Sequence, residues 1–470
     1  MKKKFYITTT LPYVNAEPHI GFALEIVQTD VLARYYRLKG YDVVFNTGTD
    51  EHGLKIYKKA LEEKKDPQAY CDEYASRFEK LKSALNLSYT NFTRTTNPDH
   101  KKAAQEFWII CQKNGFIDKK LYKIKYCVGC ELEKTDSELV DGHCPLHPKE
   151  KILISEEENY FFKFSAFQTR LLELYDKSPQ FVLPDFRQKE IKNFVETGLE
   201  DFSISRLKKK LPWGVDVPGD PEHVMYVWFD ALVNYISTIG WPNDIEKFED
   251  FWPGVQVAGK DNLRQQSAMW QAMLMAAGLP TSKQIVIHGF INSGGKKMSK
   301  SIGNVINPFD LVNEYNTDAV RYYLLREIPT LDDGDFSESR MKEVYDADLA
   351  NELGNLVSRI TTLASSDDLS FELTDSDNYD QGLGELIKTF QLNQALEKIW
   401  TDIKALNKTL DVEAPWKKSA SERATFLKES LNKLFAISSA LSPFLPQTSE
   451  KIQEAISGPI KKSAPLFPKK

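Results

Sequence analysis

The sequence lacks any apolar run long enough to cross a bilayer, so no helical membrane span is expected. Its start, MKKKFYITTT, has a basic head but no apolar stretch behind it, which excludes a secretory signal. Positive charge is not in excess: 61 Lys and Arg against 67 Asp and Glu give a net charge of −6, so any nucleic-acid contact must be local. Cysteine is scarce and odd in number, five in 470 residues, with three of them between 127 and 144. That pattern excludes a disulfide scaffold and favours a metal in a reducing compartment. What remains is an ordinary globular composition, 41% hydrophobic and 27% charged, long enough for two or three domains. A cytoplasmic location without membrane contact is expected.

The stretch Gly294–Asn304, GGKKMSKSIGN, carries Lys296, Lys297 and Lys300 within five residues, together with Ser299 and Ser301. It follows an apolar run, Gln284–Ile291, that reads as a buried strand, and precedes a helix start at Asn307-Pro308. A cationic, hydroxyl-bearing loop at a strand's carboxyl end is where an α/β sheet places a polyphosphate. Taken alone, the loop reads equally as a solvated lysine turn.

At the amino end Phe5–Thr9 reads as a strand, followed by a helix from about His19 with Leu24, Val27, Val31 and Tyr35 on one face. Gly40 closes that helix and Tyr41–Asn46 restarts a strand. This order belongs to a doubly wound sheet. It places His19, Ile20 and Gly21 at the first turn of the first crossover helix, whose free N–H groups attract phosphate. Gly21 allows close backbone approach, and a neutral His19 imidazole can donate to a phosphate oxygen; a plain cap is the competing reading. The second strand runs into TGTDEHG, residues 47–53, where Asp50, Glu51 and His52 are expected to face one crevice. The alternating pattern returns in MYVWFDALVNY (225–235), VQVAGKD (255–261) and QIVIHGF (284–290). In these runs Trp228, Tyr235 and His288 read first as core packing, as do Met269, Trp270, Met273 and Leu274.

Between the two halves, Cys127-Val-Gly-Cys130 and Cys144-Pro-Leu-His147 form two knuckles 13 residues apart. The spacing suits one tetrahedral zinc held by Cys127, Cys130, Cys144 and His147, a closed shell and therefore structural. His143 is the competing ligand. Cys71 and Cys111 are expected to be buried. Beyond Asp335, Leu349, Leu353, Leu356, Ile360 and Leu363 repeat at four-three spacing, and amphipathic stretches at 383–410, 420–441 and 447–456 complete a helical bundle. An acidic linker is expected over Ser365–Asp380 and a frayed tail from Ile460. The expected architecture is a doubly wound parallel, Rossmann-like α/β sheet in two halves (1–118 and 221–335). A zinc-bearing insertion (119–220) splits it, and an all-α bundle (336–470) follows.

PHIGF at 18–22 and KMSKS at 297–301 resemble the paired HIGH and KMSKS motifs of class I aminoacyl-tRNA synthetases. LPYVNAEPHIG, TGTDEHG, the zinc knuckle, YVWFDA, GKD, IHGF, LANELGNLVSR and APW are similar, in order and over nearly the whole chain, to the methionyl-tRNA synthetase family. The resemblance implies activation of L-methionine with ATP and magnesium, then transfer to the terminal adenosine of tRNA(Met), initiator and elongator alike. It implies catalytic roles for His19, Lys297 and Lys300, and ATP contacts from His19, Gly21, Gly259, Asp261, Lys297, Met298, Ser299 and Lys300. Leu11, Tyr13, Trp228, Ala231, Tyr235 and His288 are implied to line an apolar methionine pocket suited to a thioether, with Asp50 on the α-ammonium. Asn355, Arg359 and Trp416 are implied to read the anticodon by hydrogen bonding and stacking.

Two positions depart from the family pattern. Phe22 stands where the first motif has its second histidine, and Gln266 where several members carry a histidine. Among rival readings, the isoleucine, valine and leucine enzymes need a larger insertion than Lys119–Pro218 offers. The cysteine enzyme, and a ligase joining cysteine to a sugar, need a cysteine where Leu11-Pro12 stands. A non-catalytic RNA-binding relative and a free-standing nucleotidyltransferase are the readings from other classes. No assembly segment follows the bundle, so a monomer is expected.

Overall fold

Short β-prone runs alternating with helical stretches assemble a six-stranded sheet in the computed structural model, which describes residues 2–134, 138–298, 303–373 and 381–469. Its strands are β1 (Lys4–Thr8), β2 (Asp42–Thr49), β3 (Asn91–Arg94), β4 (Val182–Leu183), β5 (Val255–Gly259) and β6 (Gln284–His288), in the spatial order β3-β2-β1-β5-β6-β4. β1 pairs in parallel with β2 and β5, β2 with β3, and β6 with β4. The strand order reverses beside β1, so a crevice opens outside the carboxyl ends of β1 and β2. Near-continuous apolar strands fit a parallel sheet covered on both faces: Ile7, Phe45, Val257, Ile285 and Ile287 are wholly buried.

The chain forms two compact units. The first comprises Met1–Pro18, Tyr41–Lys80 and Tyr89–Ile287. Its core centres on Phe107, whose ring meets Phe229, Trp241 and Trp270 at 5.7–5.9 Å. Met269, Trp270, Met273 and Leu274 are buried there, as expected, and so are Cys71 and Cys111. The segment between the sheet halves carries an antiparallel pair, Ile117–Cys127 with Leu153–Phe162, on which Lys123 faces Glu156.

The second unit comprises His19–Gly40, Leu81–Ser88 and His288–Lys470. Its helix Ile20–Leu38 is capped by His19 and ends at Gly40, with φ +79°. Leu24, Val27, Val31 and Tyr35 are buried as their spacing requires, and Asp30, beside that face, is buried as well. Arg321, fully buried on the Thr317–Arg326 helix, pairs with Asp30 at 2.9 Å. It also donates to the carbonyls of Leu85, Pro443 and Phe444 at 2.7–3.1 Å. Asp30 accepts further from Arg34 and from the Ser88 N–H and hydroxyl.

The helical pattern beyond Asp335 is realised with local changes. Glu338–Ser366 runs as one helical path, widened to π geometry over Tyr345–Gly354. The expected 383–410 helix is two, Gln381–Lys388 and Leu392–Glu413, because Phe390 between them is left-handed at φ +56°. Helices Ala420–Leu441 and Pro446–Ile456 follow. Of the acidic linker, residues 365–366 still belong to the preceding helix, and Ser370–Phe371 pairs with Gly458–Pro459. Residues 374–380 of that expected linker lie outside the described residues. The tail is not frayed: Ile460 and Phe467 are buried, and the Tyr345 hydroxyl donates to the Pro468 carbonyl at 2.9 Å. Two apolar anchors hold it while Lys461, Lys462 and Lys469 stay exposed.

Replacing Arg321 by Met removes one partner of a buried ion pair, and equilibrium denaturation should show a loss of about 3–5 kcal/mol. Burial raises the Asp30 carboxyl, but Arg321, Arg34 and Ser88 outweigh it and hold the group below the usual carboxylate range. A depressed carboxyl contributes stability that is fully present above its unfolded value of about 4 and is lost as pH falls through the folded value. The gap between parent and variant should therefore narrow in acid.

Candidate active site and metal centre

In the first unit the chain leaving β1 meets the end of β2. Asp50 N–H donates to the Pro12 carbonyl (3.0 Å) and Val14 N–H to the Asp50 carbonyl (3.3 Å), which sets Tyr13 beside Asp50. The Tyr13 ring stands edge-on to Trp228, centroids 6.2 Å apart. The Tyr13 hydroxyl and the Trp228 Nε1–H are both buried with no hydrogen-bond partner among the described residues. Two donors left unmatched beside a buried carboxylate are what a small polar-headed ligand would satisfy. Ala231 is buried three residues from Trp228, and Leu11 is half-buried.

Asp50 and Asp230 are both buried and are pushed in opposite directions. Burial, then the Asp230 charge, drives the Asp50 carboxyl well above its ordinary range. Asp230 is held low despite its burial, because His52 Nδ1 lies 2.9 Å from one oxygen and His100 Nε2 3.1 Å from the other. Glu51 departs from the expectation that it shares this crevice. Its carboxylate pairs with Arg94 (2.6 and 3.0 Å) and accepts from Thr49 and Thr96. Successive residues at a strand's end point to opposite sides, which separates Glu51 from Asp50 and His52.

Tyr235 is buried, and its hydroxyl accepts from Gln266 Nε2 at 2.7 Å. Gln266 Oε1 in turn accepts from Gln256 at 3.3 Å, so this amide donates and accepts at once, whatever the pH. Gly259 is buried at the end of β5, and Asp261 lies exposed in the turn that follows.

The four knuckle residues converge. Cys130 Sγ lies 3.3 Å from the sulfurs of Cys127 and Cys144 and 3.4 Å from His147 Nδ1; the other two sulfurs are 3.9 and 4.0 Å from that nitrogen. Edges near those of a tetrahedron with metal–sulfur bonds of about 2.3 Å fit one metal ion. His143 is exposed and outside the cluster. Gly129 makes the convergence possible, since a Cβ there would lie 2.4 Å from the His147 ring.

In the second unit His19 Nδ1 accepts from Gly21 N–H at 3.1 Å, which places the proton of the neutral ring on Nε2. A Cβ on Gly21 would lie 2.9 Å from the His19 ring and 4.0 Å from Met298 Cε. Ile20 N–H donates to the Ile306 carbonyl (3.0 Å), so the chain that follows the second motif runs beside the start of this helix. Ile291–Ser293 turns back on Lys296–Lys297 through Gly294 and Gly295, with φ +63° and +71°, the signs a tight two-residue hairpin demands. Ser299, Lys300 and the Lys297 side chain lie outside the described residues. His288 is buried with Nε2 3.0 Å from Glu25 and Nδ1 2.7 Å from the Gly289 carbonyl.

On the bundle, Asn355 and Arg359 line a groove of about 530 Å³ with Lys404, Asn407 and Asp411. Arg359 pairs with Asp411 at 2.5 Å, and its guanidinium lies 5.8 Å from the ring centre of Trp416. Trp416 is 49% exposed, unusual for an indole and suited to stacking.

The family model described as tRNA synthetases class I (M) matches residues 5–153 and 147–361. The chain belongs to that family. The methionine–tRNA ligase of Thermotoga maritima is 42% identical over 97% of this chain and 75% of its own length. That of Thermosynechococcus vestitus is 40% identical over 100% and 93%. Among solved structures, Mycobacterium tuberculosis methionyl-tRNA synthetase in complex with methionyl-adenylate superposes with a TM-score of 0.91 at 35% identity, covering 99% of each chain.

His52 was expected at this crevice from TGTDEHG, whereas Asp230, inside the recognised run YVWFDA, was not singled out, and their pairing is tertiary. His100, whose Nε2 meets the other Asp230 oxygen, carried no signal. Of the two departures, Phe22 sits in the first helical turn, its N–H donating to the His19 carbonyl. Replacing Gly129 by Ala should swing His147 away and weaken metal retention by about 10- to 100-fold, read by chelator competition.

Proposed function

We infer that the chain activates L-methionine with ATP and passes the methionyl group to the 3′-terminal adenosine of tRNA(Met). The observation that supports this most directly is the Tyr13–Trp228 pair set beside buried Asp50, an aromatic wall with two unmatched donors next to an acidic group. In the first step the methionine carboxylate attacks the α-phosphorus of ATP, the bond to the bridging oxygen breaks, and pyrophosphate leaves. No protein nucleophile is needed. Negative charge builds on the phosphates, so preorganised donors and cations contribute most. We assign that work to His19, Lys297 and Lys300, with Gly21, Met298 and Ser299 shaping the phosphate contacts and Gly259 and Asp261 on the adenosine side.

Leu11, Tyr13, Trp228, Ala231, Tyr235 and His288 are assigned to the methionine, and Asp50 to its α-ammonium. Three thiols and one imidazole suit Zn²⁺, which in a closed shell organises the fold and takes no part in the chemistry. Magnesium is expected with ATP. Asn355, Arg359 and Trp416 are assigned to the anticodon. The four-part division at 118, 220 and 335, a monomeric state and a cytoplasmic location complete the reading. Among the described residues no helix is long and apolar enough to cross a membrane.

Pyrophosphate exchange with each of the twenty amino acids tests this. Exchange with methionine alone is expected, and Lys297→Ala should reduce it by about 10²- to 10³-fold. Exchange driven by another amino acid would sink the pocket assignment, and none at all in folded protein would favour the RNA-binding reading. Asp50 must be ionised to hold an ammonium, and its carboxyl is raised by burial and by Asp230. The KM for methionine should therefore climb as pH falls through that raised value, and Asp50→Asn should flatten the profile.

A further inference from the structure

The helix Leu54–Glu62 starts directly after the turn that carries Asp50 and His52, and it has no cap of its own. Its N-cap is Gly53, held at φ +101° with no side chain to accept from the first turn. The acceptor comes instead from Glu131, the residue immediately after the knuckle ligand Cys130. Glu131 Oε1 accepts from Lys55 N–H at 2.6 Å, and a Cβ placed on Gly53 would lie 3.5 Å from the same carboxylate. The negative group also suits the positive end of the helix.

Glu131 is held on every side. It is 1% exposed and sits at φ +54°, a left-handed conformation a non-glycine residue keeps only when its surroundings enforce it. The Tyr126 hydroxyl donates to its other carboxylate oxygen and the Tyr226 hydroxyl to its backbone carbonyl. Arg206 lies 5.0 Å from the centres of both tyrosine rings. The Cys127–Cys130 turn fixes where residue 131 must go, and a metal bound there would fix the turn.

We propose that Glu131 is a positioning residue through which the metal knuckle holds the Asp50–Gly53 turn in its substrate-binding geometry. The knuckle is then not merely local architecture. Loss of its metal releases Glu131, uncaps the Leu54–Glu62 helix, and loosens the turn that presents Asp50 to the amino acid. This rests on the assignment of Asp50 to the methionine ammonium and of a metal to the knuckle.

The test compares the metal-loaded full chain with Glu131→Ala and Glu131→Gln, measuring metal content, backbone hydrogen exchange over residues 50–57, and the KM for methionine. Both variants should keep one metal per chain. Glu131→Ala should exchange faster over 50–57 and raise the methionine KM by about 10- to 100-fold, with a smaller change in kcat. Glu131→Gln, which keeps an acceptor for Lys55, should fall between it and the parent. Stripping the metal from the parent should reproduce both changes, and stripping it from Glu131→Ala should add little. Unchanged hydrogen exchange over 50–57 in loaded Glu131→Ala overturns the proposal, as do effects of variant and metal loss that multiply. If Glu131→Ala does not fold, Glu131→Gln decides by the same readings, parent-like values overturning the proposal. Hydrogen exchange needs no substrate, so a parent that fails to react with methionine would overturn the proposed reaction while the coupling is still judged.

Discussion

Arg321 has no solvent to turn to, so the second unit must neutralise and hydrogen-bond its guanidinium entirely from within. That demand ties together stretches far apart in the chain. Asp30 comes from the first long helix, Leu85 from the 81–88 segment, and Pro443 and Phe444 from the turn between the last two long helices. Asp318, three residues earlier, accepts from Thr448 N–H and so pins the start of the Pro446–Ile456 helix. A hydrophobic contact tolerates small slips among its partners, whereas a planar fork with four partners does not. Helix Ile20–Leu38, which carries His19 and Gly21 at its start, is thereby fixed relative to the helices of its own unit.

The first unit applies the same rule to a set of buried carboxylates, and the outcomes differ by partner. Asp230 sits between two imidazoles and stays low. Glu51 is taken up by Arg94 and two threonines. Glu131 caps a helix. Among the described residues the Asp50 carboxylate receives only a long 3.4 Å contact from His52 N–H, and it faces Asp230's charge, so it is the carboxylate with most to gain from an incoming cation. Its neighbours Tyr13 and Trp228 keep unmatched donors. A site of this kind is costly without ligand, which is a physical reason for the structure around it to be braced from the knuckle side.

Much of the fold was legible because its signals are local. Gly40 at a helix end, Asn307-Pro308 at a helix start, and the apolar runs 255–259 and 284–288 all appear where their chemistry requires. The knuckle was legible too, since spacing alone brings Cys127 and Cys130, and Cys144 and His147, onto two tight turns. Local signals misled where a distant contact outweighed them. The basic, proline-bearing tail read as frayed, yet Phe467 packs edge-on against Tyr345 at 5.9 Å. The acidic run after Ser365 read as a linker, yet Ser370–Phe371 finds a strand partner nearly ninety residues away. Phe390 gave no sign that it would be left-handed and split a helix.

The sequence by itself determined most of the order of elements, the place of the crevice, the four residues that cluster as candidate metal ligands, and the family to which the chain belongs. Each of these rests on residue types at fixed short spacings, which survive any later packing. Only the tertiary structure decided which polar groups find one another. It turned Glu51 away from Asp50, clasped Asp230 between His52 and His100, set Gln266 against Tyr235, and sent Glu131 across to Lys55. Those pairings depend on burial, because a polar group removed from water must take whatever partner the packing brings within about 3 Å. No spacing along the chain encodes that choice.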